Sequence, residues 1–247
     1  MIRTIYQAAS AMMAQMARQL TISTNLSNVD TPGYRQQLSG VNDFREMLLS
    51  RVARADVRLI GSISTAVRLD QPELDLSQGA LVETGQPLDL AIAGAAFFTV
   101  QTPEGLQYTR DGRFRLDEQR RLVTADGFPV LGEGGPITIP PGDVWVDPDG
   151  TVRVNDQVIG RLLLTEFPAD AQLELVEQNR YTSDVAGVPS QTAGVSQGFL
   201  EQSNVDITRA ITDMLAANRS YALAQRALQI ADDSLRLAVN EIGKISA

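Results

Sequence analysis

The sequence contains no cysteine and no histidine. Their absence excludes Ser-His-Asp and Cys-His nucleophilic catalysis, thiolate chemistry and every zinc site built on imidazole or thiolate ligands. It also excludes disulfides, so cysteine pairing says nothing about redox compartment. Cations are the minority, 21 Lys and Arg against 30 Asp and Glu, and the net charge of -9 argues against a nucleic-acid partner, which needs clustered Lys and Arg. Long hydrophobic runs are missing: nothing approaches the ~18 apolar residues that span a bilayer. Gln7, Gln15, Arg18 and Gln19 interrupt any apolar region of a cleavable signal peptide. Alone, these absences point to a cytoplasmic protein, and only a secretion route without a cleaved signal escapes the test.

What is present is periodicity at the two ends. From Leu200 to Ile242 no proline or glycine occurs. Ser203 or Asn204 offers an N-cap oxygen. Apolar residues then recur at steps of three and four: Ile207, Ile211, Met214, Ala217, Tyr221, Ala224, Leu228, Ala231, Leu235, Ala238, Ile242. That is one helix face sustained for about ten turns, roughly three times the usual helix length. Its mixture of Ala with Leu and Ile allows close approach of a partner helix. At the other end Ile2, Ile5, Ala9, Met12 and Met16 repeat likewise, with Leu20, Ile22 and Leu26 beyond, predicting a helix from about Thr4 to Ser27. Thr31-Pro32-Gly33 stops it.

The middle has a different grammar. Asn42 to Arg51 is compatible with a short helix, and Val57 to Leu69 partly alternates, as an edge strand does. From about residue 76, short apolar runs such as Leu88–Ile92, Ala96–Val100 and Val144–Val146 are separated by Asp111-Gly112, Asp126-Gly127, Gly134-Gly135 and Asp149-Gly150. Many short strands between turn pairs predict an all-β domain. The stretch from Glu177 to Gly198 is polar and reads as a return connector. The expected fold class is therefore α+β: a central all-β domain flanked by long terminal helices that pair in a coiled-coil-like helical domain. The expected divisions are 1–38 with 198–247 for the helices, 39–75 for an extended connector, 76–188 for the β domain and 189–197 for the return connector.

Candidate chemistry is thin. Asp147-Pro148-Asp149-Gly150-Thr151 opens like a calcium loop but lacks its later acidic ligands, so a turn is the better reading. Gly132-Glu133-Gly134-Gly135 has no following Lys-Ser/Thr and is no phosphate loop. Arg110, Arg113, Arg115, Arg120 and Arg121 alternate with acids and read as a mutually paired, solvated surface. Glu73/Asp75 and Asp232/Asp233 are carboxylate pairs with nothing to place them in a pocket. Met12, Met13 and Met16 suit either core packing or an adaptable helix interface.

Several segments together resemble the flagellar rod and hook protein family. Asn25 to Arg35 (NLSNVDTPGYR) is similar to its N-terminal signature, Gln78 to Ile92 with Gly94 and Phe97-Phe98 to its central motif, Tyr108 to Phe114 and Leu122 to Gly132 to its continuation, and Leu200 to Asp206 (LEQSNVD) to its C-terminal signature. Size and central motif resemble the distal- and proximal-rod types, and Met1-Ile2-Arg3 favours the distal. After Asp206 the chain departs from the family's usual acidic turn, with Thr208-Arg209-Ala210 and Asn218-Arg219-Ser220-Tyr221.

The resemblance implies a structural subunit, not an enzyme, with paired terminal helices lining a tubular rod and the β domain outside. It implies export through the flagellar apparatus without a cleaved signal and a periplasmic rod location, reversing the cytoplasmic reading. The expected partners are other copies of the chain, other rod and hook proteins and the export apparatus, with no nucleic acid, small-molecule substrate, cofactor or metal. The expected assembly interface is Ile5, Met12, Met16, Leu20 and Leu26 with Ile207, Ile211, Met214, Tyr221, Leu228, Leu235 and Ile242. Deleting residues 1–35 or 200–247 is expected to leave a folded β domain that cannot assemble. The alternatives are a non-polymerising rod adaptor or cap and a carbohydrate-acting enzyme with carboxylates in a β-domain cleft.

Overall fold

The computed structural model describes residues 2–245 except 40, 54–55, 70–71, 169–170, 172, 178 and 191. Side chains are described for these except 2–4, 41–53, 56–69, 238–239 and 241–245. The chain is α+β, with a helix at each end and a β-rich region between. It divides into two compact units, one of residues 1–26, 37–73 and 206–247, the other of 27–36 and 74–205.

The first unit contains helix α1 (Ile2–Ser27) and the 39-residue helix α2 (Ile207–Ile245). Both lie where the 3.6-residue period places them. The cap of α2 is a correction: Asp206 Oδ1 accepts from Arg209 N at 3.1 Å, while Ser203 Oγ accepts from Val205 N and Asn204 bonds elsewhere. The capping oxygen must sit at the residue just before the helical backbone begins, and that residue is Asp206. Near the end of α1, Asn25 and the Gln37 backbone exchange two hydrogen bonds, 2.8 Å from Nδ2 to the carbonyl and 2.9 Å from the amide to Oδ1. The buried side chains of the helices are mostly small, Ala8, Ala14 and Ile22 on α1 and Ala210 and Ala217 on α2. Arg18 and Asp213 form an ion pair between them at 3.6 Å.

The same unit holds an antiparallel hairpin of strands Val41–Ala53 and Asp56–Leu69, paired from Val41↔Leu69 to Ala53↔Asp56 with a bulge after Leu49. The short helix expected at Asn42–Arg51 is therefore absent. Over ten residues, helical and alternating patterns overlap, and a fourteen-residue complementary strand decides for pairing.

In the second unit, strands in the order 173–175, 180–183, 105–109, 97–102, 164–166 and 188–189 make a six-stranded antiparallel sheet. A three-stranded sheet is formed by Val144–Val146, Thr151–Val154 and Gln157–Arg161. Asp149-Gly150 turns the first of its hairpins, with Gly150 at φ 83°. Asn155-Asp156, both at positive φ, turn the second, a two-residue loop whose twist suits a hairpin. Phe98, Val100, Phe114, Val130, Val152 and Leu164 are among the side chains of the shared core. Strand 97–102 is buried on both faces: Phe98 and Val100 enter that core, while Phe97 turns the other way onto Phe167 and Tyr181. The segment that reads as a polar return connector contains strands Arg180–Ser183, Val188–Pro189 and Gly194–Gln197, the last paired with 90–93, and Phe199–Glu201 just beyond it pairs with 81–83. Partners distant in sequence recruit it despite its polarity, because backbone pairing needs no apolar side chain.

Candidate assembly surface and ionic clasp

The two helices present apolar faces that stay outside. On α1, Tyr6, Met13, Met16 and Leu20 follow steps of seven, three and four and are exposed, Leu20 to 70%. On α2, Met214, Tyr221, Leu228 and Leu235 are half-buried along one face. Leu215, Leu223, Ile230 and Leu237 lie on roughly the opposite side and are exposed, Ile230 to 67%. Of the residues expected at the interface, Met16, Leu20, Ile207 and Ile211 are exposed, and Ile5, Met12 and Leu26 are half-buried. The Ile242 side chain lies outside the described residues. The structure thus separates these positions onto different helix faces. Tyr6 and the second stripe on α2 were missed, although a seven-residue step, Leu223, Ile230 and Leu237, is visible in the sequence, and Met13 stands on the interface side of the two readings of the methionine cluster.

The second unit carries a buried ionic cluster at the meeting point of three sequence motifs. Pro32-Gly33 turns the chain with Gly33 at φ 68°, and Gly33 N donates to Glu201 O at 2.7 Å. A Cβ on Gly33 would stand 2.3 Å from the Arg110 carbonyl carbon, so only glycine fits. Two residues on, Arg35 is fully buried. Its Nη1 lies 2.7 Å from Glu201 Oε1 and donates to Ser77 O at 2.6 Å. Arg110, also buried, donates from Nη1 to Glu201 Oε2 at 3.1 Å and from Nη2 to Gly94 O at 2.7 Å, and its guanidinium lies over the Phe97 ring at 4.9 Å. Gly79 N donates to Glu201 Oε1 at 2.9 Å. One buried carboxylate thus serves two guanidiniums and a backbone amide.

Neutral groups close the cluster. Arg35 N donates to Tyr181 Oη at 3.1 Å, Tyr181 donates to Asn179 Oδ1 at 3.0 Å, and Asn179 Nδ2 donates to Pro32 O at 2.6 Å. Asn204 receives Gln36 N at 2.7 Å and donates to Asp75 O and Ser77 O at 2.9 and 3.0 Å. The residues that follow α1 and those that precede α2 are thereby tied to each other. Burial pushes the Tyr34 phenol up to about 12 and raises Tyr181 further, so both are neutral at physiological pH. Burial, then repulsion from Arg35, pulls Arg110 down to about 10, still charged at neutrality. The Ser77 backbone and side chain, with a smaller contribution from Arg35, hold Asp75 below the usual carboxylate range.

This cluster corrects one sequence reading. Arg110 belongs to no solvated surface, whereas Arg113 pairs with Asp111 at 2.6 Å and Arg121 with Asp117 at 2.7 Å, both partly exposed. Residues 27–36 and 74–205 form the second unit, so a deletion of 1–35 or 200–247 takes Arg35 or Glu201 out of this cluster. Other candidates take structural roles. Asp149 accepts from Thr151 N and Oγ1 within its turn, Asp147 pairs with Arg153, and Asp232 and Asp233 are exposed on α2. Among the described residues, no group of three or more carboxylates is placed to hold a metal ion.

Comparison with known proteins falls on these same segments. A family described as flagella basal body rod protein matches residues 5–35, the flagellar hook protein FlgE/F/G D1 domain matches 91–154, and the flagellar basal body rod FlgEFG protein C-terminal family matches 196–241. The flagellar hook-basal body complex protein FlhO of Bacillus subtilis is 34% identical over 271 residues, covering 99% of this chain and 100% of that protein. The flagellar basal-body rod protein FlgF of Mesorhizobium japonicum is 34% identical over 94% of this chain and 96% of its own length. The flagellar basal-body rod protein FlgG of Buchnera aphidicola is 31% identical over 96% and 98%. With a helix at either end, a β-rich middle and these matches along its length, the chain is a structural protein of the flagellar basal body. It belongs to the flagellar rod and hook protein family, and its relatives include rod proteins of both FlgF and FlgG names.

Proposed function

We propose that the chain is a rod subunit that assembles by burying the apolar faces of α1 and α2 against copies of itself and other rod or hook proteins. The observation that carries this is the exposure of Leu20, Leu223, Ile230 and Leu237 along helices whose buried residues are mostly small. Within the chain α1 and α2 pair in a coiled-coil-like way, a reading supported by Ala14 and Ala217 at buried positions and by Arg18–Asp213. A heterologous contact that repeats without closing builds an open filament, as a rod requires.

The distal position is favoured by Met1-Ile2-Arg3. The chain reaches the periplasmic rod through the flagellar export apparatus. The clasp of Arg35, Glu201 and Arg110 ties the segment that follows α1 to the segment that precedes α2.

The test is sedimentation of wild type, Leu20→Asp and Ile230→Asp over a concentration series, alone and with other rod proteins. Each substituted side chain is exposed in the free chain, so the variants are expected to fold. Burying a leucine or isoleucine contributes about 1.5–3 kcal/mol, so each variant should need at least ~10-fold more protein to assemble. Charged variants that assemble like wild type would refute the proposal. A wild-type chain that joins other rod proteins but never itself would favour an adaptor.

A further inference from the structure

With no cysteine in the chain, the methionine thioethers are its only sulfur. Among the described side chains, Met12 and Met214 are half-buried, whereas Met13 is 65% and Met16 60% exposed. Met13 and Met16 are three residues apart on α1, so their side chains neighbour each other on one face. Tyr6 and Leu20 extend that face, and both are exposed. We propose that Met13 and Met16 form a reversible oxidation site that blocks assembly while the chain is free, an inference that rests on the assembly reading above.

The chemistry is a two-electron oxygen transfer from a peroxide. A thioether lone pair attacks one peroxide oxygen, the O–O bond breaks, an S=O bond forms, and the departing hydroxide takes a proton to leave as water. Sulfur is oxidised and the peroxide reduced, with nothing else consumed. The product is polar and accepts hydrogen bonds, where the thioether was apolar and adaptable. In solution water satisfies the new oxygen. On an apolar face buried between subunits it would be left without a donor, which opposes association. Assembly in turn covers both sulfurs, so susceptibility belongs to the unassembled chain. Methionine sulfoxide reductases reverse the change, one enzyme for each sulfoxide epimer.

The experiment uses the full chain with graded hydrogen peroxide, peptide mass spectrometry, far-ultraviolet circular dichroism and sedimentation. One added oxygen is expected at Met13 and at Met16 before Met12 or Met214, with helix content unchanged. The concentration needed to assemble should rise at least ~10-fold, equivalent to about 1.4 kcal/mol, and return after treatment with both reductases. A Met13→Leu/Met16→Leu chain should assemble before and after peroxide alike. The proposal is overturned if Met13 and Met16 oxidise no faster than Met12 and Met214, if the doubly oxidised chain assembles normally, or if the leucine variant is inhibited equally. An untreated chain that never assembles sinks the assembly reading, and the inhibitory effect with it, while the peptide masses alone decide the oxidation site.

Discussion

Replacing Glu201 by glutamine tests the clasp with the smallest change of shape. The wild-type carboxylate meets Arg35 at 2.7 Å, Arg110 at 3.1 Å and Gly79 N at 2.9 Å, with no side-chain exposure. Glutamine keeps one oxygen for Arg35 and Gly79 but turns an amide NH2 toward Arg110, donor against donor. It also leaves two buried guanidiniums without their shared carboxylate. Removing one member of a buried ion pair costs about 3–5 kcal/mol, because the partner's charge stays desolvated. With a urea dependence of about 2 kcal/mol per molar, the unfolding midpoint should fall by ~1.5–2.5 M. Near-ultraviolet circular dichroism on the full chain is the assay, since Tyr34 and Tyr181 are buried with the cluster. Arg113→Ala is the control: its pair with Asp111 is about half exposed on the arginine side and should contribute less than ~1 kcal/mol. A Glu201→Gln midpoint within ~0.5 M of wild type, or no lower than that of Arg113→Ala, would refute the reasoning.

Three further outcomes are expected. Gly33→Ala forces a Cβ to 2.3 Å from the Arg110 backbone at a positive φ, so thermal unfolding should show a loss above ~2 kcal/mol, against a few tenths if the turn simply relaxes. Asp206→Ala removes the α2 cap and should cost about 1 kcal/mol, read as earlier thermal loss of helical circular dichroism, with Asp206→Asn restoring most of it. Tyr34 ionises near 10 when unfolded and at about 12 when folded, so its contribution is complete below pH 10 and is lost as pH rises through 12. Tyr34→Phe should therefore flatten the alkaline limb of the stability profile, and an unchanged limb would contradict the assignment.

The sequence by itself determined the parts whose cause is local. Both helices follow from a 3.6-residue period uninterrupted by proline, and the stop of α1 and several β turns from Pro32-Gly33, Asp126-Gly127 and Asp149-Gly150. Family membership was also legible, because its motifs are contiguous runs in a set order. Only the tertiary structure decided what depends on distant partners. Asn42–Arg51 became strand because 56–69 pairs with it, and the polar segment after Glu177 joined the sheets for the same reason. Periodicity showed that the helices have apolar faces but not which face turns inward, since Met214 and Leu215 are equally apolar and one residue apart. Arg110 looked like one of five surface arginines. It is separated from Glu201 by 91 residues, and the partner that makes its burial tolerable exists only once the chain has folded.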